Sequence, residues 1–321
     1  MYNKDKIKVF YNPRQAIDQT VGFSKSPNKP KLLLNYLQAK NLFDNFEIIS
    51  NFKPYNKTDF LIGHTKEYVN DFFNGGNLSD SNGLTWSENF AESVKYTNAS
   101  LYEAIKYSVL HPECITFSPT SGFHHATPES GGGFCTFSGQ VIASIKIYNE
   151  FRLKGAYIDL DGHFGNSIED SRNFCKTNDN KTLNDILPSE FNINPKGYSK
   201  SYIKDLKDKL NVLQNALFTG EVNYVVACSG ADSLEDDDLG SQLSYEDWIY
   251  CKTLVYDMIK ETSIELNKPV PIIITLFGGY RQDHYNSVLD AHTQDLITCM
   301  SVLQNKKISY KSIYKKKKDR F

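Results

Sequence analysis

The sequence predicts an α/β protein of three layers, with helices on both faces of one mostly parallel sheet. Three observations predict it. Short apolar runs rich in β-branched or aromatic residues recur along the chain, and stretches of helical period lie between them. No internal repeat and no Pro/Gly/Ser-rich linker divides the 321 residues, so a single domain is the simpler reading.

The strand candidates come in order at residues 8–11, 114–117, 156–160, 222–228 and 271–277. Their continuous apolar character suits strands buried on both faces, as in a parallel sheet. Between the last two pairs the helical period is clear. Ile203, Leu206, Leu210, Leu213 and Leu217 recur at spacings of three and four, which places them on one helix face. Ser244 followed by Asp247 has the form of a capping box and opens a helix carrying Trp248, Cys251, Leu254, Val255 and Met258.

Composition narrows the function classes. Apolar residues make up 40% and charged residues 23%, as in ordinary globular chains. No apolar run approaches the roughly 20 residues that span a bilayer, and the N-terminal residues lack the apolar core of a secretory signal. A net charge of −2 gives no general attraction to phosphate backbones, which argues against nucleic acid as the main partner. Six cysteines without a C-x-x-C pair indicate neither a disulfide framework nor a thiolate metal site, and suit a cytoplasmic address. The basic run 315–318, within a C-terminal tail of 315–321, reads as a solvated and frayed end.

In parallel α/β sheets, ligands bind beyond the carboxyl ends of the strands. The loops there hold the polar residues of this chain. Asp159, Asp161 and His163 alternate at one strand end, so Asp161 and His163 can address one point. A lone D-x-H also fits a turn or a capped helix start. Asp232 ends another strand in Ser229-Gly230-Ala231-Asp232, where it reads equally as a ligand or a helix N-cap. Adjacent His124 and His125 would crowd a core and favour a polar site. Gly278-Gly279-Tyr280 reads as a tight turn with a half-buried tyrosine.

Taken together, these fragments resemble the histone deacetylase family, including its bacterial relatives that act on acetylpolyamines. The likeness runs from about Phe10 to Leu303. It rests on Phe123-His124-His125-Ala126, Gly133-Phe134-Cys135, Asp159-Leu160-Asp161 with His163-Phe164-Gly165-Asn166, Gly230-Ala231-Asp232 with Asp238-Leu239-Gly240, and Gly278-Gly279-Tyr280, in the family's order.

The resemblance implies an arginase/deacetylase-like fold and a zinc-dependent amide hydrolase that removes acetyl or other acyl groups from lysine side chains or related alkylamines. Asp161, His163 and Asp232 would hold one zinc. One imidazole and two carboxylates leave the open position that a catalytic zinc needs. His124 and His125 would handle protons, and Tyr280 would polarise the substrate carbonyl. Asp159 would orient His124, and Asn166 would lie behind His125. A neutral amide stabilises a histidinium less than a carboxylate does, so His125 should be the more easily deprotonated of the pair. Gly133, Phe134 and Gly279 would line the passage to the metal, and a structural potassium would lie near Asp159, Asp161 and His163.

Departures from the family also carry expectations. Phe164 replaces the histidine that commonly follows the zinc-binding one, and Ser138-Gly139 stand where an asparagine is usual. Near Ser87 and Glu88 the aspartate of the rim is missing. Residues 171–190 are shorter than the family's equivalent and lack its strand end and Pro-Gly loop, so a second aromatic wall should be absent there. Two other functions compete. A two-manganese ureohydrolase would need further bridging acids, yet Leu234 stands two beyond Asp232. A catalytically silent binding protein would not need the full set of histidines, ligands and Tyr280.

Overall fold

In the computed structural model, which describes residues 1–18 and 22–317, one seven-stranded sheet organises the chain. The strands are β1 (Ile7–Phe10), β2 (Phe46–Ile49), β3 (Thr116–Ser118), β4 (Gly155–Asp159), β5 (Asn192–Ile193), β6 (Tyr224–Ser229) and β7 (Ile272–Leu276). Their order is β2-β1-β3-β7-β6-β4-β5, and every pairing is parallel. Each crossover therefore needs a long connection, which the helices supply. The fold is the three-layer α/β/α arrangement that the alternation predicts.

All five predicted strands form, with ends within two residues of the expected ones. β2 and β5 are additional. Both are edge strands with a single partner each, β1 and β4. Of the five inner strands, β3, β4, β6 and β7 are buried at every residue, which explains why their sequences read as continuous apolar runs.

The helical predictions hold. In the helix Ser199–Thr219, Leu206, Leu210, Leu213 and Leu217 are buried, with Ile203 packed at the margin of the core. Gly220 then ends the helix in the left-handed conformation, at φ +75°. Ser244 caps Tyr245–Glu265 by accepting from the Asp247 N–H, and Trp248, Cys251, Val255 and Met258 turn inward. No helix among the described residues is long and apolar enough to cross a membrane.

The basic end corrects one expectation. Within the described residues, 315–317 are docked rather than frayed, because acids receive them: Lys317 Nζ lies 2.6 Å from Asp238 Oδ1 and its N–H donates to Asp236 Oδ1 at 2.8 Å. Residues 318–321 fall outside the described part.

Candidate active site

The carboxyl ends of β3, β4, β6 and β7 lie side by side, so the loops leaving them converge. From β4 come Asp159, Asp161 and His163. From β6 comes Asp232, from β7 Tyr280, and from the loop after β3 the pair His124 and His125.

Asp161, His163 and Asp232 bring one donor atom each to within 4.8 Å of one another. His163 Nδ1 lies 3.2 Å from Asp161 Oδ1 and 3.0 Å from Asp232 Oδ2. The remaining carboxylate oxygens are held from behind, Asp161 Oδ2 by the Gly278 N–H at 2.9 Å and Asp232 Oδ1 by the Gly162 N–H at 3.1 Å. Glycines let the backbone close around these acids. A Cβ on Gly278 would meet Asp232 Cγ at 2.3 Å, and one on Gly230 would meet Asp161 Cα at 2.6 Å. Asp232 caps no helix, since the next helix begins only at Tyr245.

The electrostatics of the three residues ask for a cation. Burial and the adjacent Asp161 carboxylate push Asp232 up to about 7. Hydrogen bonds to Asp161 and Asp232 raise the His163 imidazole to about 10, favouring a proton on the ring beside the two acids. A divalent ion satisfies the same charge without that proton, and the N,O,O donor set is one that zinc accepts.

The two histidines differ. His124 is buried, with Nδ1 at 2.9 Å from Asp159 Oδ2 and Nε2 at 3.7 Å from Asp161 Oδ1. Burial works against its charged form, but the Asp161 and Asp159 carboxylates outweigh that and raise it to about 9. His125 lies beside it, ring centroids 4.1 Å apart, with Nδ1 at 2.8 Å from Asn166 Oδ1. Burial and then the charge of His124 depress His125 to about 4. Asn166 in turn donates from Nδ2 to Asp170 Oδ2 at 2.6 Å. That bond turns the amide oxygen toward His125, so His125 carries its hydrogen on Nδ1 and leaves Nε2 free to accept.

A narrow, tightly closed cleft borders this centre, lined by His124, Gly133, Phe134, Asp161, Gly278 and Tyr280 among others. Phe134 and Tyr280 face each other with centroids 5.4 Å apart. Gly133 adopts φ +48° and lies against His125, where a Cβ would meet the ring at 2.5 Å. Gly279 does not line the cleft as expected. At φ +137° it turns toward Val288 and Ala231, and Gly278 takes the position on the cleft.

A second correction concerns residues 171–190. Cys175, Leu183, Ile186 and Leu187 of that stretch are buried in the core, and none of 171–190 lines the opening beside His163. Just beyond that stretch lies β5, and the loop after it runs only from 194 to 198 before the helix Ser199–Thr219 begins. Those five residues, with Phe164 and Gln242, border an opening of about 400 Å³ on the His163 side.

Three neighbours were not visible in the sequence. Lys29 is fully buried at the start of the helix Lys29–Ala39; its ammonium donates to the Phe277 carbonyl and lies 5.6 Å from the Tyr280 ring. Burial lowers it to about 8. The ring of Phe23 stacks on Phe134 and Tyr280, at 6.5 and 6.3 Å. Asp237 accepts from the Tyr280 N–H at 2.7 Å. Lys29 and Phe23 read as ordinary surface residues in sequence, and only the acidic triplet 236–238 offered a signal.

Fold and site define a parallel α/β protein with a buried carboxylate and imidazole centre at the carboxyl edge of its sheet. A histone deacetylase domain model matches residues 24–184, half of the chain, and the chain belongs to that family. The matched part includes His124, His125, Asp161 and His163 but ends before Asp232 and Tyr280. Histone deacetylase 2 of Arabidopsis thaliana is 24% identical over 265 residues, covering 73% of this chain and 64% of that protein. Histone deacetylase 8 of Xenopus tropicalis is 20% identical over 179 residues, 52% and 48% of the two chains. The match thus spans less than two thirds of either relative. Among solved structures, an HDAC homolog complexed with SAHA superposes with a TM-score of 0.68 at 19% identity, over 96% of this chain and 86% of that one. The HDA15 HD domain gives 0.69 at 15%, over 95% and 91%. These structural likenesses establish the fold.

Proposed function

We propose that this single catalytic domain is a zinc-dependent amide hydrolase that removes acetyl or other acyl groups from lysine side chains or related alkylamines. The observation that carries the reading is the meeting of three donor atoms within 4.8 Å, on Asp161, His163 and Asp232, beside two imidazoles whose pKa values are driven apart to about 9 and about 4. Zinc held there supplies a Lewis acid that polarises the amide and makes a water acidic. His125, neutral and with Nε2 free, accepts the proton of the attacking water. His124, held as a cation by Asp159, donates one to the departing amine. Tyr280, across the cleft from Phe134, offers its hydroxyl to the oxyanion, and the buried Lys29 ammonium behind it keeps that corner positive.

The buried Tyr202 hydroxyl, without a hydrogen-bond partner among the described residues, borders the same opening as Asp159, Asp161 and His163 and supports a potassium ion or a water there. Six free, buried cysteines support a reducing, cytoplasmic setting. The test is hydrolysis of an acetyl-lysine reporter by zinc-loaded protein, repeated after chelation. Turnover that survives complete metal removal would exclude the reading.

A further inference from the structure

The loop that carries Tyr280, residues 278–283, has no regular structure and depends on side chains for its shape. Two of its N–H groups are held by neighbouring acids, that of Tyr280 by Asp237 Oδ2 and that of Gln282 by Asp238 Oδ2, both at 2.7 Å. Those acids belong to another irregular loop, 230–243. The C-terminal segment holds this acidic run, gripping Asp236 and Asp238 by their carboxylates and Asp237 by its backbone carbonyl, 3.4 Å from Lys317 Nζ. Tyr314 Oη donates to Asp236 Oδ2 at 3.0 Å, the Lys317 N–H to Asp236 Oδ1 at 2.8 Å, and Lys317 Nζ to Asp238 Oδ1 at 2.6 Å. Arg281, 3% exposed, donates to the Lys315 carbonyl and lies 5.9 Å from the Tyr314 ring. Tyr314 is itself stacked on Tyr245 at 4.1 Å, and Asp290 accepts from Ser312 Oγ and the Ile313 N–H, which ties the segment to the helix Tyr285–Gln304.

We infer that residues 310–317 form a strap that positions Tyr280, with Tyr314 and Lys317 acting through the acids 236–238. The inference builds on the reading of Tyr280 as the carbonyl polariser. Without the strap the acids swing toward water, the Tyr280 and Gln282 amides lose their acceptors, and the hydroxyl wanders from the cleft. A displacement of this kind affects the transition state more than the bound substrate, so it appears in kcat rather than KM.

The test compares the full chain with the double variant Tyr314→Phe, Lys317→Met, and with Lys317→Arg, which keeps the ion pair. Hydrogen exchange, read without substrate, should quicken about tenfold in the peptide covering 277–284 of the double variant, while the helices Tyr245–Glu265 and Tyr285–Gln304 keep their protection. On an acetyl-lysine reporter, kcat of the double variant should fall about tenfold with KM within about twofold, Lys317→Arg should keep the native kcat, and adding the double change to Tyr280→Phe should cost nothing further. Unchanged exchange in 277–284 overturns the strap. Faster exchange with unchanged kcat, or full additivity with Tyr280→Phe, overturns its action through Tyr280. A fully active Tyr280→Phe instead removes the hydroxyl's assigned role and the catalytic consequence of the strap, while the exchange data still report separately what holds the loop.

Discussion

His125 donates from Nδ1 to Asn166 Oδ1 across 2.8 Å, whereas the adjacent His124 faces the Asp159 carboxylate across 2.9 Å. An amide oxygen carries only partial charge, so it fixes the tautomer of His125 without stabilising the imidazolium. In the proposed mechanism the pair thereby divides into a neutral base and a charged acid.

Asn166→Asp tests that division. A base must be deprotonated to work, so turnover falls as pH drops through the pKa of His125, which burial and His124 hold near 4. A carboxylate at 166 favours the charged form and raises that value. The acid limb of kcat/KM should therefore move to higher pH by roughly one unit or more. A pH profile that coincides with that of the native enzyme would show that Asn166 does not set the state of His125.

Alanine at Asp161, His163 or Asp232 should leave a folded protein without its metal. Each contributes one of the three donors that meet there among the described residues, and losing one leaves too few to retain a catalytic ion. Elemental analysis should find one zinc per chain in the native protein and none in the variants. Two tightly held metals per chain would point to a different hydrolase chemistry. His125→Ala, by contrast, should keep its zinc and lose turnover.

Tyr280→Phe keeps the ring against Phe134 and Phe23 and removes only the hydroxyl. Losing one oxyanion donor typically costs ~10²–10³ in kcat. The melting temperature should barely move. A decrease of less than about threefold would reassign Tyr280 to packing against Phe134.

The parts of the molecule legible in sequence are those whose signal is local. The buried strands announce themselves because both faces are covered, and the helix Ser199–Thr219 because its leucines keep one period. β5 escaped notice because two residues, Asn192 and Ile193, carry no period at all. β2 has a buried Phe46 but an exposed Glu47, as befits an edge strand, and its four residues resemble a loop. The cluster of Asp161, His163 and Asp232 and the pair His124 and His125 were legible as ordered fragments, each weak alone. Lys29 and Phe23 were not, because what distinguishes them is a contact made more than a hundred residues away along the chain, with Phe277 and Phe134. The tail misled for the same reason: Lys315 and Lys316 are exposed as expected, but Lys317 looks solvated until the acids 236–238 are placed beside it.

Stability should decline in mild acid through His64. This imidazole is buried, donates from Nδ1 to the Thr127 carbonyl at 2.9 Å and accepts the Ser138 N–H on Nε2 at 2.8 Å. Both nitrogens are committed to the neutral form, and burial lowers its pKa to about 4. The folded value lies below the unfolded one of roughly 6.5, so the contribution is complete above that pH and is lost as pH falls toward 4. Between pH 7 and pH 5 it amounts to about 2 kcal/mol. Urea midpoints should fall over that interval more steeply for the native protein than for His64→Gln, which has no proton to gain. Parallel slopes would exonerate His64.

The last prediction concerns substrate range. The cleft has an aromatic side, built by Phe134 with Phe23 and Tyr280, while the His163 side is bordered by the short loop 194–198 and opens widely. Tyr198 does not close it, being 63% exposed. An alkyl stem is therefore gripped along one flank only. Each buried methylene is worth ~0.8 kcal/mol, so a half-covered stem of four methylenes forfeits a sizeable part of about 3 kcal/mol and gains tolerance in return. Acetyl-lysine peptides, longer acyl-lysines and acetylated polyamines should be hydrolysed with kcat/KM values within about one order of magnitude of one another. Phe134→Ala should raise KM for all of them together, because it removes the one wall they share. The wall at 171–190 should be irrelevant: Phe174→Ala, at an exposed residue that borders neither the cleft nor the opening, should leave the ranking unchanged. A sharp preference for acetyl-lysine peptides over every other acyl chain and amine would show that the flank beside His163 closes around substrate, and that loop 194–198 grips as firmly as an aromatic wall.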